Sequence, residues 1–556
     1  MLKDAVSISG LSMKYVLNKT LMGNKGVKLY APGGICNKCR TYEENCRYCD
    51  CLGAIQSEGY CEDCVSDQES LKRCKCDETS VYNLLKTGMI GGPAIVFCRY
   101  HEAGVTKIRS HKYDGEAKTC GGVLGYDANA LYPYCTGSEM PVGKESLVVN
   151  RRPYEEKRIK KFCRSVLRGK VFGFAQVDIE VPEALYERFE EMAPLFVLKE
   201  ILDEEIPEHM RRYKEETGRK TVKGTKKLCG VMKAGKILLY TPLIKWYLEH
   251  GLKITAIYQL IEYECGKPFE WFPEEVAKAR READKDVSKK ILGDTAKLKA
   301  NSFYGKMIED KARHNNTVFT TSDTQVEKAL RSAYFANLEE ISGAFEINEY
   351  KRTVKIDRPY QVGIAVYQLA KLRMLEFHYD FLDKYFDRRD YELMYMDTDS
   401  EYVAFASLEI DQLVKLSLKM EYFNEKPKWL AVDKFSERTP GIFKAEFVGT
   451  RMVALTAKCY LAQNTEKLVK CCEASDKPEK CICTKFSCKG VSKKTNEMSF
   501  KRYKDCLNHV GIDKACNTGF RVHDYGMVTY EQTKLGLSAY YDKRYVLEDG
   551  IHTQPL

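Results

Sequence analysis

Two aspartates one residue apart, set in an otherwise apolar and aromatic run, constrain this chain more than any other feature. Residues 393–405 read LMYMDTDSEYVAF. Residues with strand propensity flank a four-residue polar centre, which predicts a hairpin with Asp397, Thr398, Asp399 and Ser400 at its tip. Two carboxylates on one tip repel each other, and a divalent cation between them removes the repulsion. Asp and Ser are also ordinary turn residues, so on this stretch alone an acidic surface turn is an equal reading.

Two further stretches favour the metal. Asp127 follows the short apolar run Val123, Leu124, Gly125, with Tyr132 five residues on and Pro133 closing the element. Lys297, Asn301 and Tyr304 stand at i, i+4 and i+7, one face of a helix. An acidic pair, a third acid far upstream and a helical face of Lys, Asn and Tyr form a constellation suited to holding metal ions against a triphosphate. That is nucleotidyl-transfer chemistry.

These residues resemble the family B DNA polymerases. Asp127 to Pro133 is similar to that family's D-x-x-S-L-Y-P, with Ala130 in place of the Ser. Residues 297–305 match its fingers motif K-x-x-x-N-S-x-Y-G, and residues 395–400 match Y-x-D-T-D-S, all in the family's order. Asn129, the Lys297-Leu298 opening and Lys458-Cys459-Tyr460 point to the protein-primed branch, which serves bacteriophages, linear plasmids and Polinton or Maverick transposons.

The resemblance implies a right-hand polymerase of the α+β class: a palm with an antiparallel sheet, helical fingers and a small thumb. It implies two Mg2+ ions, with Mn2+ as a substitute, bridged by Asp127 and Asp399 and completed by the Ala128 carbonyl. Asp397 stands beside the ions rather than on them. Lys297 lies against the triphosphate, helped by Arg280 or Arg281. Asn301 and Tyr304 shape the nascent base pair, and Tyr132, next to Leu131, lies under the incoming sugar and excludes a 2'-hydroxyl. DNA contacts fall to Gly91, Gly92, Ser302, Gly305, Thr398, Lys458 on the primer phosphate, Tyr460 on the terminal sugar, and Lys489 on the duplex. The implied partners are template and primer DNA, dNTPs and a terminal protein whose Ser, Thr or Tyr accepts the first nucleotide. The expected enzyme is a DNA-directed DNA polymerase acting as a monomer.

Composition is anomalous only in its 23 cysteines. Cys36 and Cys39, Cys46 and Cys49, Cys61 and Cys64 pair at two-residue spacing, with Cys74 and Cys76 close behind; four pairs complete two four-sulfur Zn2+ sites, leaving Cys51 over. The alternatives are reduced structural cysteines, or disulfides in an oxidising compartment. A second group, Cys471, Cys472, Cys481, Cys483 and Cys488, has irregular spacing and gives no firm metal assignment. The net charge of +10 suits a phosphate-tracking surface without establishing one. No apolar run reaches membrane-spanning length and no secretory leader opens the chain, so the expectation is a soluble intracellular protein, not secreted, in the nucleus or mitochondrion according to the element it serves.

The expected plan is a helical segment over 1–35, a zinc module over 36–80, a template-binding linker over 81–126, and palm with an inserted terminal-protein-contacting subdomain over 127–265. Fingers follow over 266–310, palm with a second insertion and the catalytic hairpin over 311–460, and a thumb with a Cys-rich insertion over 461–556. No Asp-x-Glu strand precedes Asp127, so a proofreading exonuclease is expected to be missing, whether by loss or because the chain is a fragment. Residues 171–181 alternate as a palm strand, with Asp178 and Glu180 read as solvent-facing or supporting acids. Arg99 to His101 and Lys107 to Arg109 read either as phosphate contacts or as a solvated strand face. Two alternatives compete with the polymerase. A reverse transcriptase typically carries adjacent aspartates, which Thr398 separates here; a degenerate transposon-derived nucleic-acid-binding protein would not need the intact acids and Lys297.

Overall fold

The computed structural model describes residues 81–150, 152–219, 224–341, 343–351, 353–356, 358–466, 483–523 and 526–556, with Val16 and the backbone of the strand Gly33–Cys36. The proposed zinc ligands Cys39, Cys46, Cys49, Cys61, Cys64, Cys74 and Cys76, the side chain of Cys36, and Cys471, Cys472 and Cys481 lie outside the described residues.

The centre is a five-stranded antiparallel sheet of β1 (Ala94–Val96), β2 (Gly122–Ala128), β3 (Tyr391–Asp397), β4 (Ser400–Phe405) and β5 (Phe443–Gly449), in the order β5-β2-β4-β3-β1. The hairpin expected at residues 393–405 is β3 and β4. Residues 391–396 of β3 are all buried, which is why that strand reads as a continuous apolar run rather than an alternating one.

A helix, α4 (Tyr360–Glu376), belongs to the same core and is buried nearly all round, Gln361, Gln368 and Lys371 included. Buried polar groups need partners. Gln368 accepts the Tyr240 amide at 2.6 Å and donates to the Leu238 carbonyl at 2.9 Å, and Lys371 donates to the Ile90 carbonyl at 2.6 Å. These bonds tie α4 to an inserted sheet on one side and to the loop carrying Gly91 and Gly92 on the other.

That inserted sheet corrects one expectation. The strand expected at 171–181 exists as Gly173–Glu180, but it pairs with Lys253–Gly266 and Lys233–Tyr240 in a separate four-stranded sheet and takes no place in the five-stranded one that carries the acids. Asp178 there accepts the Lys236 amide and the Tyr258 hydroxyl, at 2.7 and 2.9 Å, so its work is structural. A second expectation falls for burial. Arg99, His101 and Arg109 are 0, 1 and 2% exposed and form neither a phosphate surface nor a solvated face. Arg99 donates to the carbonyls of Ala539 and Gly550, and Arg109 pairs with Glu191 at 2.5 Å.

The stretch expected as fingers folds as a helical pair, α2 (Phe272–Lys285) and α3 (Lys290–Met307). They approach closely at Gly293, where an added Cβ would lie 2.5 Å from the Ala283 Cβ. Between α3 and α4 lies a small three-stranded sheet, order Asn315–Thr320, Ala344–Tyr350, Phe335–Ile341. Beyond β5 follow two further strands, Arg451–Thr456 and Cys459–Gln463. The helix Phe500–Leu507 is followed by the hairpin Lys514–His523 with Gly526–Leu535. Among the described residues no helix is long and apolar enough to cross a membrane.

Candidate active site

Strand register brings the acids together. Asp127, next to last in β2, stands opposite Ser400 of β4 on one side and Lys444 of β5 on the other. The hairpin tip is then locked onto β2: the Ala128 amide donates to the Asp399 carbonyl at 2.7 Å. Thr398 takes a left-handed φ of 65°, an uncommon backbone state for a β-branched residue that its surroundings must hold. Its amide donates to the Pro93 carbonyl at 2.7 Å, and Gly92 lies so close that an added Cβ would sit 2.6 Å from the Thr398 Cγ2. Gly92 thus supports the tip, whereas an added Cβ at Gly91 would meet nothing within 4 Å.

The three acids are not equivalent. Asp127 and Asp399 line one cavity of about 190 Å3 together with Ala128, Leu131, Tyr132, Arg280, Lys297, Asn301, Lys444 and Glu446. Burial, then the charges of Asp399 and Glu446, push the Asp127 carboxyl up to about 7. Burial, with Asp397 and Glu446 adding to it, pushes Asp399 up to about 6. Asp397 does not line this cavity: Lys458 pairs with it, and the Tyr395 hydroxyl donates to it at 3.2 Å.

Opposite the acids, α3 presents Lys297 and Asn301 to the cavity as its helical spacing predicts, and α2 adds Arg280. Burial, with Arg438 nearby, lowers the Arg280 pKa, and Asp284 and Asp127 oppose that shift. Arg281 is corrected: it pairs with Glu274 and lies over the Phe435 ring at 4.2 Å, away from the cavity. The rings of Tyr132 and Tyr304 stack at 4.2 Å and 23°, forming an aromatic floor that Tyr367 braces edge-on.

Lys444, Glu446 and Lys485 went unread in the sequence. Glu446 pairs with Lys444 at 2.7 Å and Lys485 at 2.8 Å, and Lys444 reaches Asp127 at 3.8 Å. Burial would raise the Glu446 carboxyl, but the two lysines prevail and hold it at about 2. The signal in the sequence was the alternation Lys444-x-Glu446 on a strand after Gly441, which no motif marked.

The remaining expected DNA contacts are scattered. Ser302 donates to the Leu298 carbonyl of its own helix at 2.7 Å, while Gly305 has open space beside its Cα. Tyr460 is 8% exposed and packs between Tyr395 and Tyr402, sharing a hydrogen bond with the Tyr402 hydroxyl at 3.0 Å. Lys489 is exposed.

The donors suit hard divalent cations. Asp127, Asp399 and the Ala128 carbonyl offer oxygen atoms, and two carboxyls raised in proton affinity by burial and by neighbouring acids are the condition a cation relieves.

An antiparallel sheet that sets two carboxylates against a cationic helix is an arrangement suited to nucleotidyl transfer. Residues 104–373, just under half of the chain, match the family described as DNA polymerase type B, organellar and viral, and that match supports a DNA-directed DNA polymerase. The matched residues hold Asp127 and the fingers motif and end before the hairpin of Asp397 and Asp399. Among solved structures, the chain is similar to Phi29 DNA polymerase complexed with primer-template DNA and incoming nucleotide substrates. Identity there is 14%, over 96% of this chain and 68% of that one, with a TM-score of 0.48. Phi29 DNA polymerase complexed with single-stranded DNA matches at 14% identity and the same coverages, with a TM-score of 0.47. No curated protein matches the chain.

Proposed function

We propose that this polymerase extends a primer 3'-hydroxyl on a DNA template with dNTPs, in the protein-primed replication of a virus or mobile element. The observation that carries the reading is the single cavity in which Asp127 and Asp399, both raised in proton affinity, face Arg280 and Lys297.

Phosphoryl transfer needs in-line geometry and neutralised charge more than covalent help from the protein. Asp127 and Asp399 would hold Mg2+, which when bound supplies charge neutralisation and a more acidic primer hydroxyl. The other residues act directly. Lys297 and Arg280 draw the triphosphate into the cavity, and Asn301 faces the incoming nucleotide from α3. The stacked pair of Tyr132 and Tyr304 offers a flat apolar surface to the sugar, with no room for a 2'-hydroxyl. Lys444, shared between Asp127 and Glu446, keeps the Asp127 carboxylate in place while no cation is bound. Lys458, already at the rim on Asp397, is the group nearest to hand for a primer phosphate. The cysteine pairs over 36–76 are proposed to hold Zn2+, and the terminal protein partner follows from the branch that the motifs resemble.

Extension of a labelled primer on a DNA template with Mg2+, offering dNTPs or rNTPs, tests this reading. The natural chain should extend with dNTPs, and Asp127→Asn and Asp399→Asn should not. A folded, zinc-replete natural chain that extends nothing would sink it and leave a nucleic-acid-binding protein. Transfer of a first labelled nucleotide onto a Ser, Thr or Tyr hydroxyl of a protein encoded by the same element tests the priming.

A further inference from the structure

At the end of β3 remote from the catalytic tip, three side chains from distant parts of the chain converge. The ligand atoms of His111, Glu392 and His552 all lie within 4.8 Å of one another. Glu392 is 4% exposed and His552 5%, while His111 lies at the exposed edge. The backbone already draws the last of these in, since His552 bridges to Cys98 and the Arg99 amide donates to the Ile551 carbonyl at 2.9 Å.

The hydrogen bonding leaves a specific gap. The Asp549 carboxylate takes the Nδ1 proton of His552, the arrangement that orients a metal-binding imidazole and leaves Nε2 as the donor. Nε2 has no hydrogen-bond partner although it is buried, and it faces the Glu392 Oε1 at 3.5 Å. The other Glu392 oxygen is occupied, accepting the Arg109 amide and lying 3.1 Å from the His101 Nε2. An imidazole lone pair and a carboxylate oxygen facing each other away from water repel unless a cation or a proton lies between them.

Space and charge favour the cation. A cavity of about 20 Å3, room for a single small ion or water, has these three residues in its lining, with Arg109, Lys112 and Arg544 beside them. The positive groups around it are committed elsewhere: Arg109 to Glu191, Lys112 to Glu190, and Arg544 to Thr553 and the Glu190 carbonyl. Glu392 also neighbours Cys98 and His101, but both His101 nitrogens already have partners, the Thr106 hydroxyl and Glu392 itself.

We propose that His111, Glu392 and His552 bind a Zn2+ ion that clips the segment around residue 552 onto the palm, separate from the catalytic carboxylates. Two imidazoles and a carboxylate are a zinc donor set, and the exposed side of His111 leaves the fourth position to water.

Zinc per chain, measured on the full-length protein, tests the site, because the cysteine-rich stretches contribute equally to every variant. His111→Ala should carry one equivalent fewer than the natural chain, and His111→Cys, which restores a ligand, should regain it. Chelator should lower the melting temperature of the natural chain by more than that of His111→Ala. Equal zinc in the natural chain and His111→Ala would overturn the proposal and leave His552 as a proton-bridged ion pair. Should His111→Ala fail to fold, zinc-edge X-ray absorption of the natural chain decides. A zinc population ligated by nitrogen and oxygen supports the site, and an all-sulfur ligand shell overturns it.

Discussion

Lys458 lays its ammonium on the Asp397 carboxylate, and its backbone amide donates to the same Tyr395 hydroxyl that donates to Asp397. The triangle closes on a residue with a left-handed φ of 61°. Asp397 is therefore already neutralised by protein groups, whereas the nearest cation to Asp127 is 3.8 Å away. The hierarchy of the three acids follows from this difference.

Asp127→Asn and Asp399→Asn should each lower the extension rate by about 10^3-fold or more, the scale of losing one oriented charge at a transferring phosphoryl group. Asp397→Asn should instead release Lys458 and weaken primer binding more than it slows chemistry. Single-turnover extension beside a primer-template binding titration separates the two. Equal loss of turnover with unchanged DNA affinity in all three variants would refute the hierarchy.

The Asp127 carboxyl, raised to about 7 from an ordinary value near 3.8, takes up a proton more readily folded than unfolded. Its contribution to metal-free stability is present at low pH and is lost as pH rises through 7. Asp127→Asn should thus melt higher than the natural chain at pH 8 without divalent cations, and the gap should narrow as pH falls towards 4. Added Mg2+ should close the gap at pH 8 by stabilising only the natural chain. Thermal melts at the two pH values, with and without Mg2+, provide the check.

Glu446→Gln removes the anion that holds Lys444 and Lys485. Lys444 should then turn wholly to Asp127 and compete with the cation. Extension should fall about 10-fold, the equivalent of one pKa unit in the site, and more Mg2+ should be needed for half-maximal rate. An unchanged Mg2+ dependence would mean that Glu446 has no part in the site.

Adjacent glycines should behave oppositely. Gly92→Ala drives a methyl into Thr398, costing about 1–3 kcal/mol for an overpacked contact and displacing the catalytic tip, so extension should fall sharply. Gly91→Ala meets open space and should stay within about 0.5 kcal/mol in stability. Any loss of template affinity in Gly91→Ala would then report on DNA contact alone.

Tyr132→Ala takes away one ring of the stacked pair. Discrimination against rNTPs should drop by about 10^2-fold, the scale expected when a steric wall is removed, while the dNTP rate falls less. Competitive incorporation assays read the ratio directly.

What the sequence determined by itself was local. The hairpin of β3 and β4, the face of Lys297, Asn301 and Tyr304, and Asp127 at the end of a short apolar run depend on period and propensity within a few residues, and motifs preserve such spacing. Tertiary structure decided whatever depends on register between distant strands. It placed Lys444 beside Asp127, put Arg280 in the cavity and turned Arg281 out, moved Gly173–Glu180 from the palm to another sheet, and buried Arg99 and Arg109 that read as surface. A side chain's partner across some 300 residues of chain, such as Lys444 for Asp127, leaves no periodic trace, because a pleat or a helical turn repeats only within one element.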